Sequence, residues 1–138
     1  MFVYFVKTKA HPQMLKIGKA NDVVMRIAQL QTGCPYQLQL IGMLKCKSEM
    51  HARTIEQTAH RVFQRARKRG EWFEYSRHVH LAVMAVLESP IENLREAARN
   101  AFNKSRDESR AKRPARYAES LAIEGLVSMD REFRGIVQ

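Results

Sequence analysis

Between Ser48 and Gly70 the small and apolar residues Ala52, Ile55, Ala59, Val62 and Ala66 recur at intervals of three, four, three and four. That spacing lines one side of an α-helix and no other. Ser48 is a good N-cap, so the pattern predicts a helix of about five turns with Gly70 closing it. A one-sided helix of that length needs an apolar surface to lie on. Two short runs upstream, Phe2 to Lys7 and Met14 to Lys19, are rich in β-branched and aromatic residues and are split by the turn formers His11-Pro12-Gln13, which predicts a β-hairpin. Gln37 to Cys46 alternates around Leu38, Leu40, Gly42 and Leu44. A third strand is expected there, paired with the hairpin because a two-stranded ribbon alone is marginal. The expected fold is α+β: a small central three-stranded, mainly antiparallel sheet flanked by helices, with a helical C-terminal extension.

The remaining elements follow from caps and breakers. Asn21 is placed to cap a helix through about Gln31, with Val23 or Val24, Ile27 and Leu30 on one face and Gly33 as its stop. Glu71 to Tyr75 is short and aromatic, an edge strand or a segment folded against the sheet. His78 to Leu87 is a further amphipathic helix that ends before Ser89-Pro90, since the residue preceding a proline is pushed out of the helical region. A domain boundary is expected there, giving a domain over 1–89 and an extension over 90–138. In the extension Glu92 to Asn103 and Tyr117 to Met129 read as helical, whereas Lys104 to Arg116 is Arg-rich and lacks large apolar side chains.

Charge narrows the partners. The 138 residues carry 24 Lys and Arg against 14 Asp and Glu, a formal +10. Fourteen basic against six acidic residues put +8 into residues 1–90, leaving +2 for 91–138. Arg61, Arg65, Arg67, Lys68 and Arg69 crowd into nine positions. Such a field concentrates polyanions, so nucleic acid is the leading expected partner class, with an anionic membrane surface second, and these five residues are the expected phosphate contacts. Arg106, Arg110, Arg113 and Arg116 offer a second set, and the extension is equally a candidate element for homodimerisation. Cys34 and Cys46 form neither a CxxC pair nor a cluster with His, which argues against a zinc ribbon or a disulfide scaffold. No run approaches the roughly 18 apolar residues of a membrane span, and the N-terminal segment lacks the form of a secretory signal. A cytoplasmic location and no membrane partner are expected.

In order along the chain come a strand with Tyr4, a strand with Lys16-Ile17-Gly18, a helix with Arg26, a strand, and a helix with Glu56. Taken singly these residues are unremarkable. Tyr4 reads as a packing residue, Lys16 and Arg26 as surface charges, and Glu56 as a boundary residue paired with Arg53 or His60. Trp72 and Phe73 read as packing residues, and Glu71 as an ion-pair partner for the basic end of the long helix. Together, the segments VYFV, LKIGKA, RIAQLQTGCP, IEQTAHRVF and RGEWFE resemble, in order and spacing, the GIY-YIG nuclease superfamily. The resemblance is nearest to its phage-T5-type branch, in which the second motif is KIG, and it covers roughly residues 1–76.

The resemblance implies a metal-dependent endonuclease hydrolysing DNA phosphodiester bonds with a single Mg²⁺ or Mn²⁺. It gives Tyr4 the role of base, puts Lys16 in the place of the second motif's tyrosine, and makes Gly18 that motif's glycine. Arg26 becomes the phosphate-binding arginine and Glu56 the metal-binding glutamate. The chemistry is coherent: in-line hydrolysis needs a cation, a base and a fixed donor on the phosphate. A free phenol, with a pKa of about 10, is a poor base, so Lys16 and the cation would have to stabilise its anion. His60, four residues beyond Glu56 on the same side of the helix, is a candidate for orienting its carboxylate. His51 and Tyr36 are further candidates without a spacing argument. The asparagine that follows the glutamate in many members has no obvious counterpart, which motivates the alternative of a catalytically inactive nucleic-acid-binding or regulatory protein with the same fold. An adaptor for acidic proteins or membrane surfaces would account for the charge but not for the motif order.

Overall fold

A computed structural model describes residues 1–112. Phe2–Thr8 (β1) and Met14–Ala20 (β2) form the expected antiparallel hairpin, in a register that places Tyr4 opposite Gly18 and Val6 opposite Lys16. Leu38–Lys45 (β3) pairs antiparallel with the other side of β1. Between β2 and β3 lies the helix Val23–Thr32 (α1); after β3 comes Glu49–Val62 (α2). Ser48 caps α2 as expected, its Oγ accepting the His51 backbone N–H at 3.0 Å. The cap of α1 is Asp22 rather than Asn21: Asp22 Oδ1 accepts the Met25 N–H at 3.0 Å. Both residue types cap well, so neighbouring positions compete and sequence alone does not choose between them.

The sheet has five strands rather than three, in the order β3-β1-β2-β5-β4, all antiparallel. The added pair is a small hairpin, Arg67–Arg69 (β4) and Trp72–Glu74 (β5), with β5 on the outer edge of β2. This corrects the expected five-turn helix. The helix ends at Val62, Phe63 turns out of it with φ −95° and ψ 10°, and a 3₁₀ turn over Gln64–Ala66 leads into β4. The apolar spacing ran past the helix because Ala66 still packs against the core once the helix has stopped at Val62. The five basic residues are therefore spread over three elements: Arg61 on α2, Arg65 in the 3₁₀ turn, and Arg67, Lys68 and Arg69 on β4. Gly70 is a hairpin residue with φ +56°, a left-handed conformation that favours glycine, and not a helix cap.

Alternation along β1 and β2 divides two cores. Val3, Phe5, Leu15 and Ile17 face one way, into a core built with Ala52, Ile55 and Ala59 of α2 and with Val79, Ala82, Val83 and Val86 of Arg77–Glu88 (α3). A further helix starts at residue 94, and its Leu94 and Ala98 are buried in that same core. Tyr4 and Val6 face the other way, into a small cluster with Val23 of α1 and Leu38, fringed by Ile27, Leu30 and Trp72. The first compact unit is Met1–Asn103. Beyond it residues 104–112 are helical, and the predicted helix over 117–129, with Arg113 and Arg116, lies outside the described residues. Among the described residues no helix is long and apolar enough to cross a membrane.

Candidate active site

The site begins where β5 stops. β5 covers the outer edge of β2 from Met14 to Lys16, with Lys16 opposite Trp72. One step on, the Ile17 N–H donates to the Glu71 carbonyl at 3.3 Å, and the chain then turns away through Gly70. The Ile17 carbonyl is left for another partner, His60 of α2, whose Nε2 lies 3.0 Å away. A carbonyl only accepts, so that nitrogen carries the proton. Side chains from both faces of the sheet meet at this open edge.

From the α1 face comes Lys16. It is 8% exposed, and its ammonium lies 2.9 Å from Glu71 Oε2 and 5.3 Å from the Trp72 ring centroid. Burying an ammonium costs free energy unless it is paired, and this one has a carboxylate and an aromatic face. From the α2 face come Glu56 and His60, one helical turn apart, with His60 Nε2 3.9 Å from Glu56 Oε1. The His60 ring leans on Phe73, centroids 5.4 Å apart, which fixes its plane. The Glu71 carboxylate is close enough for its charge to act on the Glu56 carboxyl.

Their titrations diverge. Burial, and next the charge of Glu71, push the Glu56 carboxyl above its ordinary range, against the opposing pull of His60 and Lys19. Burial acts upward on Glu71 too, but its hydrogen bond and ion pair with Lys16, aided by His60, outweigh it and hold that carboxyl below the ordinary range. In the pair, Glu71 is the anion bound to Lys16 and Glu56 is the carboxyl that retains a proton more readily.

Tyr4 and Gly18 meet face to face across the hairpin. Tyr4 is 1% exposed, and a Cβ on Gly18 would stand 2.3 Å from Tyr4 Oη and 2.5 Å from Cζ. Glycine is therefore required at position 18 by close approach of the ring and not by backbone conformation. Arg26 is exposed on α1, on the same face of the sheet as Tyr4, and its guanidinium hydrogen-bonds Gln29 at 3.5 Å. No hydrogen bond or ion pair among the described residues joins it to Lys16, Glu56 or Glu71. The expected residues thus fall into a Tyr4–Gly18 pair, a Lys16–Glu56–His60 set, and Arg26 apart.

Glu71 was expected to pair with the basic end of the long helix, and it pairs instead with Lys16; Lys68 takes Glu74 at 3.5 Å. The signal for this contact lay in the register of β5 on β2, which sets Trp72 opposite Lys16 and therefore Glu71 beside it. His51 is occupied locally, its Nδ1 accepting the Lys47 N–H at 3.0 Å. Tyr36 is exposed. Arg61, Arg65, Arg67, Lys68 and Arg69 are all exposed, and Arg67 braces the β4–β5 turn by donating to the Gly70 carbonyl at 2.7 Å.

No curated protein and no solved structure matches the chain. Residues 1–88 match the T5orf172 domain, which occurs in nuclease-associated proteins. That match spans more than half of the sequence and takes in all five strands and every residue of the edge site, and the chain belongs to the T5orf172 domain family.

Proposed function

We propose that the protein is a metal-dependent endonuclease of GIY-YIG type that hydrolyses phosphodiester bonds in DNA. The observation that carries this reading is the approach of Lys16 and Glu56, from opposite faces of the sheet, at the part of the β2 edge beyond its pairing with β5, where Glu71 and His60 also converge. Four residues, Lys16 of β2, Glu56 and His60 of α2, and Glu71 before β5, give that edge a buried cation, two carboxyl groups and an oriented imidazole. Packing alone has no use for such a set.

The donor chemistry fits a hard divalent cation. Among the described residues no group of three His, Cys, Asp or Glu is arranged so as to hold a metal ion, and the oxygens on offer are those of Glu56 and its neighbour Glu71. Two carboxylates suit Mg²⁺ or Mn²⁺, which keep most of their waters, and do not suit zinc. Glu56 would hold the ion, which when bound neutralises charge developing on the phosphoryl oxygens.

The chain's own groups supply the rest. As the water oxygen bonds to phosphorus and the bond to the leaving oxygen breaks, Tyr4 Oη, acting as the phenolate, takes the proton of the water, and solvent protonates the leaving oxygen. Lys16 donates to the phosphate while Glu71 keeps its ammonium in place. Arg26 offers a planar fork to phosphate oxygens. Gly18, lacking a side chain, leaves the Tyr4 ring its position. The exposed basic residues from Arg61 to Arg69 hold the backbone of the substrate by charge.

The test uses the intact chain, plasmid DNA and Mg²⁺ or Mn²⁺. Wild type nicks the plasmid, and Glu56→Ala lowers the rate by about 100-fold or more, the scale set by loss of a transition-state contact. Absence of nicking, or nicking that survives Glu56→Ala, overturns the proposal. The near-complete burial of Tyr4 favours a second reading, in which the same fold binds DNA without cutting it. The same samples separate the two: salt-sensitive binding by wild type with no turnover supports the second.

A further inference from the structure

We propose that Glu71 is a positioning residue of this site, holding the Lys16 ammonium at the sheet edge beside Glu56. The inference rests on the nuclease reading for the reaction and on geometry for the contact.

Three observations converge on Glu71. Its main chain is pinned, because its carbonyl accepts the Ile17 N–H, one residue from Lys16. Its carboxylate therefore springs from a fixed point next to the ammonium it binds at 2.9 Å. The Gly70 turn, with φ +56°, ends β4 at that point and carries the chain into Glu71.

The second observation is the contrast with other ion pairs. Lys19 lies 3.6 Å from Glu49, whose side chain is 76% exposed, and Lys68 and Glu74 are both exposed at 3.5 Å. Pairs of that kind contribute little because water solvates both charges and the side chains give up freedom to meet. The Lys16 side chain is 10% exposed, so its charge has little water to fall back on. Taking its partner away leaves an ammonium that must either stay buried unpaired or swing outward.

Third, Glu71 acts on both functional groups. It is bound to Lys16 by an ion pair at 2.9 Å, and its charge acts on the neighbouring Glu56 carboxyl. One residue thus stands between the phosphate-binding cation, which it holds, and the carboxyl that would hold the metal. Trp72 alone cannot do this, since a ring face attracts the ammonium without directing it.

The experiment compares full-length wild type, Glu71→Gln and Glu71→Asp by two readouts. The first is the rate of reductive methylation of Lys16, followed by mass spectrometry on protein without divalent cations. The second is cleavage under saturating and limiting DNA. In Glu71→Gln, Lys16 is methylated about tenfold faster once its charged partner is gone. Its kcat falls about 10–100-fold, as for other groups that orient a catalytic side chain, while KM stays within about twofold. Glu71→Asp, which keeps the charge, recovers part of both. Thermal midpoints measured alongside identify a variant that has failed to fold, and Glu71→Asp then carries the test.

Unchanged Lys16 methylation in Glu71→Gln overturns the proposal, whether or not the protein cuts. So does a wild-type kcat in Glu71→Gln, with the nuclease reading intact if Glu56→Ala is dead. Wild-type protein that cuts nothing, while Glu71→Gln still exposes Lys16, overturns the nuclease reading and upholds the hold on Lys16.

Discussion

On one face of the sheet Val3, Phe5, Leu15 and Ile17 lie beneath α2, α3 and the helix that starts at residue 94; on the other, Tyr4 and Val6 are covered by α1. The positions on β2 that would complete the second cluster hold Lys16 and Gly18, a charge and an absent side chain. Two faces of one hairpin, alternating residue by residue, thus differ in what they contribute. The first supplies apolar burial and stability; the second gives up packing to bring a cation to the edge of β2 and to seat the Tyr4 ring over Gly18.

The largest effect that would break this contrast lies on the packed face. Phe5 is fully buried among α2 and α3 residues, and Phe5→Ala is expected to cost about 3–5 kcal/mol, the usual range for a buried aromatic. Val6→Ala, on the neighbouring position of the other face, removes fewer atoms from a smaller cluster and costs about 1.5–3 kcal/mol at most. Urea unfolding measures both. Equal losses would show that the two faces contribute alike.

Next in size is Gly18→Ala. The added Cβ would lie 2.3 Å from Tyr4 Oη and 2.5 Å from Cζ, so the ring must move, at an expected cost of about 1–3 kcal/mol. Tyr4→Phe does not rescue it, because Cζ remains. Tyr4→Val in the Gly18→Ala background removes the colliding ring and abolishes the penalty of the alanine. Rescue by Tyr4→Phe would show that the hydroxyl alone makes the contact, and would sharpen the role of Oη in the site.

Local signals explain what the sequence made legible. The hairpin, β3, the Ser48 cap and the end of α3 before Pro90 follow from alternation, capping and proline, all of which act within a few residues. The one-turn spacing of Glu56 and His60 was legible in the same local way, whereas Tyr4, Lys16, Gly18 and Glu56 were singled out by the resemblance of their order to a family and by no local pattern. What was not legible depends on pairing at a distance. Arg67-Lys68-Arg69 has no alternation, and it is a strand because it pairs with β5. The Lys16–Glu71 ion pair joins residues 55 positions apart, through a β2–β5 register that no local pattern encodes. The end of α2 was obscured because the chain stays against the core after it ceases to be helical.

The smallest effect tests whether the two faces meet electrostatically at Glu56 and Glu71. Glu56 projects from the helix of the packed face, and its carboxyl titrates above the ordinary range because of burial first and the Glu71 charge second. Such a group contributes stability that is fully present below its unfolded pKa and is lost as pH rises through its folded pKa. At neutral pH, without divalent cations, Glu56→Gln should therefore raise the unfolding midpoint, and the gain should vanish in acid. Burial acts upward on Glu71 as well, but Lys16 outweighs it and its carboxyl titrates below the ordinary range. Its contribution is present above the unfolded pKa and is lost as pH falls through the folded one, so Glu71→Gln should lower the neutral-pH midpoint. Urea midpoints across about pH 3–8 decide the matter, since the linkage slope has opposite signs for the two groups. If both substitutions shift the midpoint in the same direction, the carboxyls do not divide their roles between a proton and Lys16, and the edge of β2 joins the faces by shape alone.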